Sequence, residues 1–188
     1  MRGRLYIALL HHPVIDREGR VITSAVTNAD IHDIARSAKT YGVKRFFIVT
    51  PIADQADLVR TIIGHWTCGA GGTLNPSRRE ALEAVEVAGS LEEVVEVIAR
   101  EESGPVSTVA TGARLDGSCV SHGQLLEILE NGCGPTLFIF GTGWGLAGEV
   151  IENSRYRLEP INGAGAYNHL SVRSAVAITL DRLVGRKE

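Results

Sequence analysis

Residues 136–140, Thr-Leu-Phe-Ile-Phe, form an unbroken apolar run bounded by Pro135 and Gly141. A strand with no polar alternation has no face to give to water, so both of its faces are buried, the condition of a strand inside a parallel sheet covered by helices on each side. Runs at 5–10, 45–49, 106–110 and 156–158 read as further strands, and amphipathic segments at 30–41, 53–65 and from 91 onward alternate with them. That alternation specifies an α/β fold, a mostly parallel sheet flanked by helices. Local punctuation agrees: Gly42 caps the first helix, and Ser90 to Glu93 and Ser121 to Gln124 read as capping boxes. Residues 11–27 read as one long loop, 68–72 as a mobile glycine-rich turn and 170–184 as the last helix.

A chain of 188 residues, 44% hydrophobic, suits a single domain over 1–188 with its own core. The net charge of −3 excludes an overall positive field, so any nucleic acid must be met by a local patch. Candidates are Arg2/Arg4, Arg17/Arg20, Lys44/Arg45, Arg78/Arg79 and Arg155/Arg157. No apolar run nears the roughly 18 residues of a membrane span, and the amino terminus lacks a signal-peptide pattern. A soluble, cytoplasmic protein without membrane association is expected. Cys68, Cys119 and Cys133 form no CxxC pair and suit free thiols. His65 and Cys68 have no matching second pair, so no metal site is expected.

Chemistry is concentrated near the carboxyl terminus. The buried strand runs into Gly141-Thr142-Gly143-Trp144-Gly145, where glycines let backbone amides approach a ligand. A tight turn needs glycine for its own sake as well, and turn chemistry alone leaves both readings open. Only 45 residues follow Gly143, too few for a Rossmann domain, whose glycine turn follows the first strand, and no GxxxxGK[ST] occurs. A second glycine-rich loop, 160–169, feeds the last helix, and two such loops at strand carboxyl ends would frame one crevice. Arg36 falls on the first helix, where an arginine is most often a surface residue.

Taken together, residues 30–43, 137–146 and 168–178 resemble, in order and spacing, the three motifs of the SPOUT superfamily of RNA methyltransferases. The resemblance covers nearly the whole chain and is nearest to small stand-alone proteins related to the catalytic domain of tRNA guanine-N1 methyltransferases. It implies a C-terminal trefoil knot whose loops hold S-adenosylmethionine. By the same resemblance Thr111, Phe140, Gly141, Thr142, Gly143, Ile161, Asn162, Gly163 and Leu170 bind the cofactor, with Arg36 and Asp30 catalytic. It further implies an RNA substrate, tRNA or rRNA, and a homodimer through the knot region, often with one subunit's arginine completing the other's site. Gly143 and Asp30 stand where the ribose-methylating branch has glutamate and asparagine, so ribose 2′-O and base N-methylation both stay open. The alternative is a catalytically silent knotted RNA-binding or assembly factor that retains adenosine binding.

Overall fold

Alternation along the strands sorts the core into two layers. The computed structural model describes residues 4–115, 117–132, 134–165 and 167–185; Arg2 and Cys133 lie outside them. In chain order the elements are β1 (Leu5–Leu10), β2 (Val14–Ile15), β3 (Val21–Ile22), α1 (Asn28–Thr40), β4 (Arg45–Val49), α2 (Ala53–Thr67), α3 (Ala70–Leu74) and α4 (Pro76–Leu82). There follow β5 (Val85–Ala88), α5 (Leu91–Glu102), β6 (Ser107–Ala110), α6 (His122–Asn131), β7 (Thr136–Gly141), α7 (Gly148–Glu152), β8 (Tyr156–Arg157) and α8 (Val172–Val184). Six strands form one parallel sheet in the order β5-β4-β1-β7-β6-β8, and β2 and β3 form a separate antiparallel hairpin. Among the described residues no helix is long and apolar enough to cross a membrane.

Odd and even strand positions meet different helices. Ile7, Leu9, Ile48, Phe138 and Phe140 join Ile31 and Ile34 of α1, Leu82 of α4, Leu125 of α6 and Val176 and Leu180 of α8. Tyr6, Ala8, Leu10, Phe47, Leu137 and Ile139 face the other way, against Val94 and Ile98 of α5 and Val150 of α7. Each fully buried Leu, Ile or Phe contributes about 1.5–3 kcal/mol from surface removed from water. The central strands are therefore the most strongly held part of the chain.

Four readings of the sequence are corrected. Residues 11–27 are not one loop, because Val14 and Ile15 pair with Val21 and Ile22 across a turn braced by the Asp16 carboxylate, which accepts from the Glu18 and Arg20 amides. The segment 68–72 is not a loose turn. Gly71 and Gly72 are buried, α3 begins at Ala70, and an added Cβ on Gly71 would come within 2.7 Å of the His65 ring. The edge strand β5 and helix α4 were not expected, since Glu86 interrupts the apolar signal; it stands opposite Phe47 of β4 and forms an ion pair with Arg45. At Ser90 only half of a capping box forms: the hydroxyl accepts from Glu93, but the Glu93 carboxylate turns to the Gly89 amide instead.

The Ser121 box is complete. Gln124 donates its amide to the Ser121 hydroxyl, and Ser121 donates its own amide to the Gln124 side chain. Ser121→Ala is expected to lower stability by about 1 kcal/mol, read as the shift of a urea unfolding midpoint at unchanged slope.

The return of the chain positions the site. Val120 donates to the Arg157 carbonyl (2.8 Å) and accepts from the Glu159 amide (2.9 Å), so the stretch ahead of α6 runs beside the end of β8. From there the chain doubles back, and α8 packs on α1 and α6.

Candidate active site

Segments leaving the carboxyl edge of the sheet meet around one cavity of about 670 Å³. Ser24, Ala25 and Thr27 close one side; the loop after β6 and the turn after β7 form another; Leu158, Glu159 and Ile161 form the third. The start of α8, including Arg173 and Ala175, closes the remainder. The cavity thus lies where open α/β sheets bind ligands, outside the strand carboxyl ends beside an inserted strand.

The glycine turn is shaped by its own packing. Gly143 (φ +60°) and Gly145 (φ +123°) occupy backbone conformations that side chains disfavour. At Gly141 the reason is space, because a Cβ there would stand 2.7 Å from the Leu146 amide nitrogen. Thr142 is fastened from below: its hydroxyl donates to the Leu10 carbonyl (3.0 Å) and so accepts from Ser24, whose oxygen then accepts from His11 Nδ1 (3.0 Å). Donor counting in that chain puts a proton on His11 Nδ1. Its Nε2 is buried without a hydrogen-bond partner among the described residues. Burial pushes the His11 imidazole down to about 4, although the Asp30 carboxylate pulls the other way.

Each residue singled out in the sequence has a definite place. Thr111, Phe140, Gly141, Thr142, Gly143, Ile161 and Leu170 line the cavity, and so does Asp30. Thr111 gives both its amide and its hydroxyl to the Ile139 carbonyl, tying β6 to β7 at the rim. Asn162 and Gly163 lie outside the lining; the Gly163 amide donates to Asn168, which does line it. Arg36 is exposed on α1 and lies outside the cavity altogether. Asp30 is buried, takes a hydrogen bond from the Thr27 hydroxyl (2.7 Å) and pairs with Arg173 (3.2 Å).

Arg173, Glu159 and Arg114 are site residues that periodicity did not reveal. A signal existed for Arg173: it stands in the first turn of α8, where the helix dipole disfavours a cation that has no acidic partner. Glu159 accepts from both the His122 amide (2.8 Å) and the His122 ring (2.9 Å), and those bonds hold its carboxyl below the usual range.

The model of a family described as SAM-dependent RNA methyltransferase matches residues 4–185. The chain belongs to this family. It is 40% identical over 182 residues to an uncharacterized protein of Aquifex aeolicus, covering 97% of this chain and 89% of that one. It is 42% identical over 181 residues to the tRNA (guanine-N(1)-)-methyltransferase of Nitratidesulfovibrio vulgaris, covering 96% of this chain but only 42% of that larger protein. The fold is that of the SPOUT methyltransferases. The SpoU methyltransferase AviRb from Streptomyces viridochromogenes, solved in complex with AdoMet, superposes with a TM-score of 0.58 at 18% identity, over 97% of this chain and 57% of that one.

The cofactor of this methyltransferase family is S-adenosylmethionine, and the cavity fits it. Its volume, about 670 Å³, falls within the roughly 300–1,000 Å³ of small-molecule sites. Phe140, Leu158 and Ile161 offer apolar walls for an adenine ring, the glycine turn offers backbone polar groups, and Asp30 and Glu159 offer negative charge toward a sulfonium.

Proposed function

We propose that this methyltransferase acts on tRNA at a guanine ring nitrogen. Support comes from the relative named for that reaction, which is matched across nearly all of this chain. The observation that carries the reading is the cavity itself, lined by the glycine turn and closed by the Asp30–Arg173 pair. When bound, the cofactor supplies a methyl group already activated on its sulfonium sulfur, so the protein's work is positioning and proton removal. In this reading a bond forms between the guanine nitrogen and the methyl carbon while the sulfur–methyl bond breaks. Asp30 accepts the proton released from the nitrogen, and Arg173 holds the Asp30 carboxylate toward the cavity.

Arg36 reaches a reacting centre in this scheme only across a dimer. We infer that two copies pair through the region of α1 and α8, placing Arg36 of one copy at the cavity of the other. Its exposure and its place outside the lining of its own cavity are what support this. The path of 157–159 beside Val120, followed by the return of α8 to α1, is likewise what supports a trefoil knot.

Calorimetry with S-adenosylmethionine, S-adenosylhomocysteine and NAD is expected to show binding of the first two alone. Incubation of bulk tRNA with radiolabelled S-adenosylmethionine, followed by nucleoside analysis, is then expected to place the label in N1-methylguanosine. Label in ribose methyl groups or in rRNA would replace the substrate reading, and binding without transfer would restore the silent knotted scaffold.

A further inference from the structure

At the cavity mouth, three aromatic rings from two separate segments come together beside an arginine. Trp144 of the glycine turn packs edge-on to His169, with centroids 6.2 Å apart, and Tyr167 lies 5.4 Å from the same His169 ring. Arg114, from the loop after β6, comes within 3.4 Å of His169 Nε2 and stands 5.8 Å from the Trp144 ring centre. Scattered exposed aromatics need no explanation, but these are clustered, with Trp144 50% and Tyr167 80% exposed.

The arginine is as telling as the rings. Several cations that the sequence offers to RNA are neutralised: Arg4 by Glu102, Arg20 by Asp16 and Glu18, Lys44 by Glu101 and Glu102, Arg45 by Glu86 and Glu101, and Arg79 by Glu83. Arg114 makes no ion pair among the described residues; its guanidinium meets only the rings of His169 and Trp144. On a chain with net charge −3, such a cation is where attraction for an anion must be local. Exposed aromatic faces beside an arginine plane are the means by which proteins hold bases splayed out of a helix. An enzyme acting on a base must draw it out of its stack.

We propose that Trp144, Tyr167, His169 and Arg114 form a stacking platform for an unpaired RNA base at the cavity mouth, so that the substrate is a loop or an opened strand. This rests on the chain's acting on RNA and adds which RNA conformation it accepts. Trp144, His169 and Arg114 also line the cavity, whereas Tyr167 does not, so Tyr167 is the member that separates the platform from cofactor binding.

The test measures two affinities for the full chain: a fluorescein-labelled 12-nucleotide single-stranded RNA by anisotropy, with the matching duplex as control, and S-adenosylmethionine by calorimetry. Single-stranded RNA is expected to bind and the duplex to bind at least tenfold more weakly. Tyr167→Ala is expected to weaken single-strand binding by about tenfold, the loss of one stacked base, while Tyr167→Phe stays within about twofold because it keeps the ring. Arg114→Lys, which keeps the charge but not the plane, is expected to lose several-fold. In both Tyr167 variants the affinity for S-adenosylmethionine stays at the wild-type value. Equal binding of duplex and single strand, no binding of either, or undiminished RNA binding by Tyr167→Ala would each overturn the platform. So would a loss of cofactor affinity in Tyr167→Ala, which would assign the rings to the cofactor's adenine. If the oligonucleotide results hold while tRNA is not methylated, the tRNA reading fails and the platform stands.

Discussion

An Arg36→Ala variant is expected to bind S-adenosylmethionine as tightly as the wild type and to transfer methyl groups about a hundredfold more slowly or worse. The size follows from removing a charge that meets the reacting groups only in the transition state, typically a loss of about 10²–10³. The structure sharpens this expectation, because Arg36 stands outside the cavity of its own chain. The decisive measurement is complementation. Ile161→Trp fills the cavity from its lining and blocks the cofactor while leaving Arg36 in place. Mixing the two inactive proteins under subunit exchange forms dimers with one intact composite site, and roughly a quarter of wild-type activity is expected to return. No recovery, or a sedimentation coefficient of a monomer at micromolar concentration, would remove Arg36 from a shared site. Circular dichroism on both variants separates loss of fold from loss of chemistry.

Acid is expected to unfold this protein through His11 before the carboxylates titrate. In the native state the imidazole is buried, neutral and held at about 4, against an ordinary 6.5. The unfolded chain therefore takes up a proton that the folded chain refuses as pH falls below 6.5. The stability due to this group is complete above that value and is lost progressively down to about 4. A shift of that size corresponds to about 3 kcal/mol, a large share of a typical domain's stability. His11→Asn keeps a polar atom near Ser24 and does not titrate, so its urea midpoint is expected to change much less between pH 7 and pH 5. Parallel loss in both proteins would move the effect to another group.

The strands at 5–10, 45–49 and 136–141 and the cap at Ser121 were legible because their signals are local: a run of apolar residues, or a serine three positions from its partner. The hairpin at 14–22 and strand β5 escaped for the opposite reason. Two residues carry no period, and Val85-Glu86-Val87-Ala88 reads as a tail of the preceding helix until β4 is laid beside it and Arg45 pairs with Glu86. The same division runs through the site. Glycine turns announce themselves, and the loops they mark do converge on one cavity. The pairs that make the cavity polar do not, for Asp30 and Arg173 are 143 positions apart and Ser24 and Thr142 are 118 apart. Nothing along the chain specifies such pairing until α8 is laid against α1.

The position of β7 has a consequence for how the polypeptide is made. It lies between β1 and β6, yet it emerges from the ribosome after both. Until residues 136–141 appear, β1 carries an open edge of unpaired amides and carbonyls alongside wholly apolar side chains, the kind of surface that recruits other chains. The amino-terminal half is thus born with a slot in its sheet, and the late strand must enter sideways between two finished neighbours. Vulnerability during synthesis is concentrated in that interval, and a mutation that slows insertion of β7 would lower the yield of folded protein without altering the stability of what does fold.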